Sequence, residues 1–294
     1  MAHDHAHHAS SHAHGGASHA GGATSRAGGA SSHAHGASSD ADGHMAEILD
    51  LDAEVLSDHH AEVIAWAGTL VPERSRIVDL GAGTGTGTLA LARHLPGAEV
   101  TAVDMDENLL ARLRRHAAEA GVGDRVRTVR ADLDGTWPDL GPADLVWAAK
   151  AMHHLADPAR ALAQVRDTLR PRGHFLITEI DSFPRFLADP AGIALEDRLH
   201  AAQDRMREEA GLHMGVDWGA RLTEAGFELE AERRFDIEVP APLSPKALRY
   251  AEVTFERARQ MMADRLSSED LAALGTASAA TVRAARTAWV GRKR

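Results

Sequence analysis

Cysteine is absent from this 294-residue chain, which excludes disulfides, thiolate zinc sites and cysteine nucleophiles. The absence suits a reducing compartment. Aromatic residues make up only 4% and include a single tyrosine, so few platforms exist on which nucleic-acid bases could stack. Basic charge is also in short supply: 32 Lys and Arg face 43 Asp and Glu, a net charge of −11, the opposite of a nucleic-acid footprint. No apolar run reaches the ~18 residues of a membrane span, and the N-terminus has no apolar signal core. Together these absences predict a soluble, cytoplasmic protein that engages neither nucleic acid nor membrane. A homodimer is compatible with them. What is present is a 44% hydrophobic share, enough to bury a substantial core.

Residues 1–44 read as a separate object. They are built from Ala, Gly, Ser and His with almost no large apolar side chains, a composition that predicts disorder. His3, His5, His7, His8, His12, His14, His19, His33, His35 and His44 make this tract able to bind divalent transition metals loosely. Nothing fixes a ligand geometry, so no specific metal site is expected.

From residue 45 the pattern becomes periodic. Residues 45–72 read as a helical cap carrying Ile48, Leu49, Leu51, Val55, Leu56, Val63, Ile64 and Trp66 at mostly helical spacing, closed by Pro72. Residues 73–181 alternate strand and helix. Strands are predicted at RIVDL (76–80), AEVTAVDM (98–105), RVRTVRAD (125–132), ADLVWAA (143–149) and HFLITEID (174–181), with helices at 88–95, 107–120 and 158–169. Asp106 stands as N-cap of the second of these helices and Gly121 just past its end. Such alternation calls for a parallel sheet covered on both faces. Residues 182–294 add helices at 190–210, 216–225, 245–262 and 268–274, and strands at 227–239 and 281–292.

The chemistry concentrates in VDLGAGTGTGTLALA (78–92). Glycines there let a ligand lie against the backbone. A phosphate-binding loop needs GxxxxGK[ST], and no lysine follows these glycines. A dinucleotide fingerprint needs GxGxxG, and Thr86 or Thr88 stands at the third glycine in either frame. Asp79, directly before the loop, would repel a pyrophosphate but suits an ammonium group. A nucleoside that carries a cation in place of a phosphate satisfies both features, and S-adenosylmethionine is such a molecule. Asp104 and Asp132 end the next two strands, at the carboxyl edge where ligands of doubly wound sheets bind. There they are placed to accept from ribose hydroxyls and from an adenine amino group.

The segments IVDLGAGTGTGTLAL, VTAVDMDENLLARL, VRTVRADLDG, DLVWAAKAMHHL and LRPRGHFLITE, spanning about 76–180, resemble the class I S-adenosylmethionine-dependent methyltransferases. The resemblance implies an α/β, doubly wound, Rossmann-like seven-stranded sheet whose last strand is antiparallel, with the N-terminal helices and the insertions of residues 182–294 covering the site. It also implies cofactor contacts from Asp79, Gly81, Ala82, Gly83, Gly85, Asp104, Met105, Asp132, Leu133 and Ala148 or Ala149. The function implied is methyl transfer from S-adenosylmethionine to the O, N or C nucleophile of a small molecule.

In-line displacement from a sulfonium asks mainly that the nucleophile be held at near-attack distance in a dry pocket. Where the acceptor is a phenol or alcohol, a histidine base helps, and KAMHHLADP offers His153 and His154, of which at most one should face the methyl. His59, Glu179 and Asp181 are further candidates on the substrate side. Two other readings carry less of the sequence. One is an NAD(P)-dependent oxidoreductase, disfavoured by the glycine spacing and by Asp79. The other is a metal-binding or regulatory protein with an inactive methyltransferase domain, motivated by the histidine tract.

Overall fold

The computed structural model describes residues 33–212 and 215–294. By its internal contacts the chain divides into Met1–Ser38 and Ser39–Arg294, and the architecture that follows is that of the second unit. The first helix, α1 (His33–Val55), has helical backbone from His33, ahead of the boundary expected at residue 45. The tract's histidines from His3 to His19 lie outside the described residues.

Seven strands form one sheet: β1 (Arg76–Leu80), β2 (Glu99–Asp104), β3 (Val126–Arg130), β4 (Ala143–Ala149), β5 (Leu169–Ile180), β6 (Phe227–Val239) and β7 (Val282–Lys293). Their order is β3-β2-β1-β4-β5-β7-β6. The first five are mutually parallel, and β7 runs antiparallel to both β5 and β6. The expected α/β Rossmann-like sheet with an antiparallel last strand is therefore the fold observed. β5 begins earlier than predicted, at Leu169, because its first residues pair across an irregularity with Ala143 of β4. At the sheet's edge β6 carries a charged outward row, which discourages pairing with another chain.

Helices follow the strands where their caps direct: α2 (Ser57–Thr69), α3 (Thr86–His94), α4 (Glu107–Glu119), α5 (Pro158–Thr168), α6 (Pro190–Glu209), α7 (Trp218–Glu224), α8 (Pro245–Met261) and α9 (Ser268–Thr276). Asp106 accepts from the amides of Asn108 and Leu109 and starts α4 as predicted. Asp157-Pro158, Asp189-Pro190 and Ser244-Pro245 start α5, α6 and α8 by one device, a side-chain cap followed by proline in the first turn.

Strand residues alternate between two cores. Val78, Leu80, Val146, Ala148, Phe175, Ile177 and Trp289 pack on one face with Leu162, Val165 and Leu222 from α5 and α7. Ile77, Leu145, Trp147, Leu176, Ala288 and Val290 pack on the other with Val63, Ile64, Leu91 and Ala92 from α2 and α3. A third cluster joins Leu51 of α1 and Leu56, just past its end, to Phe186, Leu195, Leu199, Tyr250 and Phe255 around α6 and α8. The expected insertions are thus a helical layer that packs on the N-terminal cap.

What attaches α1 to the sheet is a buried carboxylate. Asp52 accepts from Lys150 Nζ at 2.5 Å, from the Tyr250 hydroxyl at 2.7 Å and from Arg286 Nη2 at 2.9 Å. These partners lie just past β4, on α8 and on β7. The two cations hold the Asp52 carboxyl well below the usual range against the opposing effect of burial, which is the largest influence on it. Weaker exposed pairs add to the attachment: Asp50 with Arg112, Glu47 with Arg249 and Glu54 with Lys246.

Removing Asp52 leaves Arg286, only 3% exposed, without its carboxylate. Asp52→Ala is expected to lower the unfolding free energy by about 3 kcal/mol in urea denaturation, because an unpaired buried charge remains. A loss below about 1 kcal/mol, the range of exposed pairs, would show that α1 is held by its apolar contacts instead.

Candidate active site

A cavity of about 450 Å³ opens at the carboxyl ends of β1, β2 and β4, between the glycine loop and the N-terminal helices. It is where a doubly wound sheet places ligands. Asp79, Gly81, Ala82, Gly83, Asp104, Met105, Asp132, Leu133, Ala149, His59 and His154 line it, all of them expected from the sequence.

The loop is shaped by left-handed backbone. Gly81 has φ +66°, and a Cβ there would meet Ala151 Cβ at 2.6 Å. Gly83 has φ +54° and its amide donates to Asp104 Oδ2 at 2.8 Å, which ties the loop to the end of β2. The other Asp104 oxygen accepts from the amide of Asp106 at 2.9 Å. A carboxylate has about four lone-pair sites, so Asp104 keeps acceptor capacity towards the cavity. Asp132 accepts from the amide of Asp134, and Asp134 in turn accepts from the amides of Ala156 and Asp157, fixing the segment that carries His154.

Asp79 is 2% exposed. Its Oδ2 accepts from the Thr88 hydroxyl at 2.5 Å, and among the described residues it forms no ion pair. Burial pushes its carboxyl up to about 7, with the Thr88 hydrogen bond opposing and the nearby Asp104 carboxylate adding to the rise. The Nε1 of buried Trp147 has no partner among the described residues. Where Gly87 has no side chain, a Cβ would lie 3.0 Å from that nitrogen and 3.4 Å from Asp79 Oδ2. The missing methyl leaves both polar atoms open to a common space.

Strand alternation decides which other predicted residues reach this space. Ala149 shares a face with Trp147 and lines the cavity, whereas Ala148 points into the opposite core and does not. Thr178, paired with Ala149, faces the cavity, so Glu179 and Asp181 face away. Glu179 Oε2 pairs with His153 Nδ1 at 2.6 Å, and its Oε1 accepts from the Met152 amide at 2.8 Å, which fixes the short 3₁₀ turn Met152–His154. Asp181 accepts from Arg234 and Thr287. His153, Glu179 and Asp181 line a second cavity of about 380 Å³ on the other side of the sheet. Gly85, the left-handed N-cap of α3, packs on Leu113 and does not line the first cavity.

Of the histidine pair, then, only His154 meets the cavity, with its ring 4.0 Å from that of His153. Burial above all pushes His154 down to about 4, and does the same to His59. His59 stacks edge-on against Phe235, and its Nδ1 is buried without a partner. Asp52, His60, Lys150, Thr178 and Arg286 also line the cavity, and sequence reasoning missed them as site residues. They come from α1, α2, the β4 end, β5 and β7. Among the described residues no group of three His, Cys, Asp or Glu could hold a metal ion. No helix among them is long and apolar enough to cross a membrane.

Residues 77–173 match a family model described as a methyltransferase domain. The chain is 32% identical over 179 residues to the dimethylglycine N-methyltransferase of Parasynechococcus marenigrum, covering 56% of this chain and 60% of the relative. It is 30% identical over 161 residues to the 27-O-demethylrifamycin SV methyltransferase of Amycolatopsis mediterranei, covering 53% and 55%. Across curated relatives of this kind the chain spans 28% to 60% of their length. Among solved structures, the YcgJ protein of Bacillus subtilis superposes with a TM-score of 0.54 over 80% of this chain and 99% of that one, at 19% identity, a likeness of fold.

The lone Asp79 carboxylate has a measurable consequence. An unfolded aspartate ionises near pH ~4, and the folded one near 7. Between those values the folded state holds a proton that the unfolded state has lost, so stability falls as pH rises through this window. Asp79→Asn, neutral throughout, is expected to melt roughly 5 °C above the ligand-free wild type at pH 8. The difference should shrink at pH 5. Thermal melts at the two pH values test this, and an equal difference at both would refute it.

Proposed function

We propose that this chain, whose core is a class I S-adenosylmethionine-dependent methyltransferase domain, transfers a methyl group from S-adenosylmethionine to a small-molecule acceptor. The observation that carries the reading is Asp79, a buried carboxylate at the cavity floor with a hydroxyl but no cation beside it. A ligand ammonium is the complement it lacks.

The residues present fit such a cofactor. Asp79 would hold the ammonium, Asp104 would accept from the ribose hydroxyls with its remaining lone pairs, and Asp132 would accept from the adenine amino group. Met105 and Leu133 would supply apolar contact to the base. When bound, S-adenosylmethionine supplies a methyl carbon already activated by a sulfonium, so a covalent enzyme intermediate is unnecessary. The chain's own tasks are to orient the acceptor, exclude water and take a proton where one is released. His154 and His59, held neutral by burial at pH 7, offer unprotonated imidazole for the last task. His153 serves a supporting role in this scheme, with its ring fixed by Glu179 behind His154. Asp79 at the end of β1 weighs against a nicotinamide dinucleotide, whose pyrophosphate it would repel.

Calorimetric titration of the full chain with S-adenosylhomocysteine, S-adenosylmethionine and NADPH tests the reading. Micromolar binding of both adenosyl ligands is expected. Asp104→Ala should weaken it about 30-fold or more, since it loses charge-assisted hydrogen bonds and the tether to Gly83. NADPH binding without the adenosyl ligands would overturn the assignment.

A further inference from the structure

The floor and the rim of the cavity carry opposite charge. Asp79, Asp104 and Asp132 face it from the ends of β1, β2 and β3. At the other end the charged groups are Lys150 and Arg286, with Asp52 between them. Asp52 already accepts from three donors, on Lys150, Tyr250 and Arg286. Two cations thus share one carboxylate, leaving an excess positive charge at the rim.

Lys150 is placed there against its backbone preference. It has φ +57°, a left-handed conformation that costs a non-glycine residue on the order of 1 kcal/mol. The conformation is held by its amide donating to Thr178 O at 2.8 Å. Glycine would relieve the strain, so the side chain has a use. An ammonium has three donors, and among the described residues only the one to Asp52 is engaged. Its side chain is 23% exposed, and it lines the cavity beside the Thr178 hydroxyl. Arg286, which shares Asp52 with it, is almost wholly buried. His59, which also faces this end, has an unpartnered buried nitrogen.

We propose that Lys150 and Arg286 form an anion subsite, and that the methyl acceptor is a small molecule bearing a carboxylate that this pair receives. The inference rests on the methyltransferase reading of the cavity and names the acceptor class that reading leaves open. A carboxylate seated there completes the charge that Asp52 leaves unbalanced and uses the free donors of Lys150. The acceptor's nucleophile then lies within the same cavity as His59 and His154. The other carboxylate able to reach this pair belongs to the cofactor's own amino-acid end, and the two sources separate experimentally.

The test uses the full chain saturated with S-adenosylhomocysteine, titrated with benzoate and with its neutral counterpart benzamide, in wild type, Lys150→Met and Lys150→Arg. Wild type is expected to bind benzoate about tenfold or more tighter than benzamide, the effect of one charge-assisted hydrogen-bonded contact. Lys150→Met should erase that preference while binding S-adenosylhomocysteine within about threefold of wild type. Lys150→Arg should restore most of it, which an unfolded or merely rearranged site would not do. Equal binding of the two probes by wild type, or a preference that survives Lys150→Met, overturns the proposal. So does a loss of S-adenosylhomocysteine binding in Lys150→Met that its decarboxylated analogue does not share, because the pair would then hold the cofactor's carboxylate. Wild type that binds no S-adenosylhomocysteine at all defeats the underlying reading, and the acceptor proposal falls with it.

Discussion

The cavity exists because one carboxylate, Asp52, is held by three groups far apart in the sequence. Lys150 follows β4, Tyr250 sits on α8 and Arg286 on β7, so the contact joins cap, sheet and helical cover around a single point. Each partner constrains the others. Arg286 is too buried to be left without an anion, Tyr250 needs an acceptor for its hydroxyl, and Asp52 needs cations to remain ionised where it is. Buried ion pairs add little net stability compared with well-packed apolar groups, but they tolerate few alternative arrangements. That property suits a wall whose position must be fixed. It also explains why α1 can cover the cavity on limited apolar contact, with Leu51 its buried leucine in that cluster and Leu56 just past its end.

Much of the fold was legible in the sequence because the cues are local. RIVDL and ADLVWAA are short, mostly apolar and largely buried runs, as strands covered on both faces are. Capping residues followed by proline announce α5, α6 and α8. The part of the cavity built on the glycine loop was legible for the same reason: Asp79, Gly81, Gly83, Asp104 and Asp132 fall at strand ends, and topology alone brings strand ends together.

The rim of the cavity was not legible, because its residues meet only through tertiary packing. Nothing near Asp52 in the sequence points to Arg286. A narrower failure concerned parity. Glu179 and Asp181 do share one side of β5, as their spacing says, yet the side that faces the cavity is set by the pairing of Ala149 with Thr178. The register turns both acids to the far face, where Glu179 braces His153 and Asp181 meets Thr287. The same parity separates Ala148 from Ala149. A signal was available: the large apolar residues of β4 alternate, and once Asp79 was taken to face a ligand, Trp147 beside it in the register had to share its face.

The two ends of the cavity also differ in what they require before a ligand arrives. At the rim, Asp52 is satisfied and the cations are partly neutralised, so this end is stable when empty and discriminates by its residual charge. At the floor, Asp79 is not satisfied. Burial without a cation drives it towards its protonated form, the response expected of a carboxylate placed where ionisation is unfavourable. Replacing Asp79 by a neutral residue is expected to favour folding above neutral pH, so stability alone does not account for its presence, and the proposed cationic ligand would. A cationic ligand restores its charge and lowers the free energy of the filled state relative to the empty one. In the proposed scheme, binding energy at the floor would therefore be drawn from an ionisation cost already present in the fold, and selectivity at the rim from charge left over after the fold is complete.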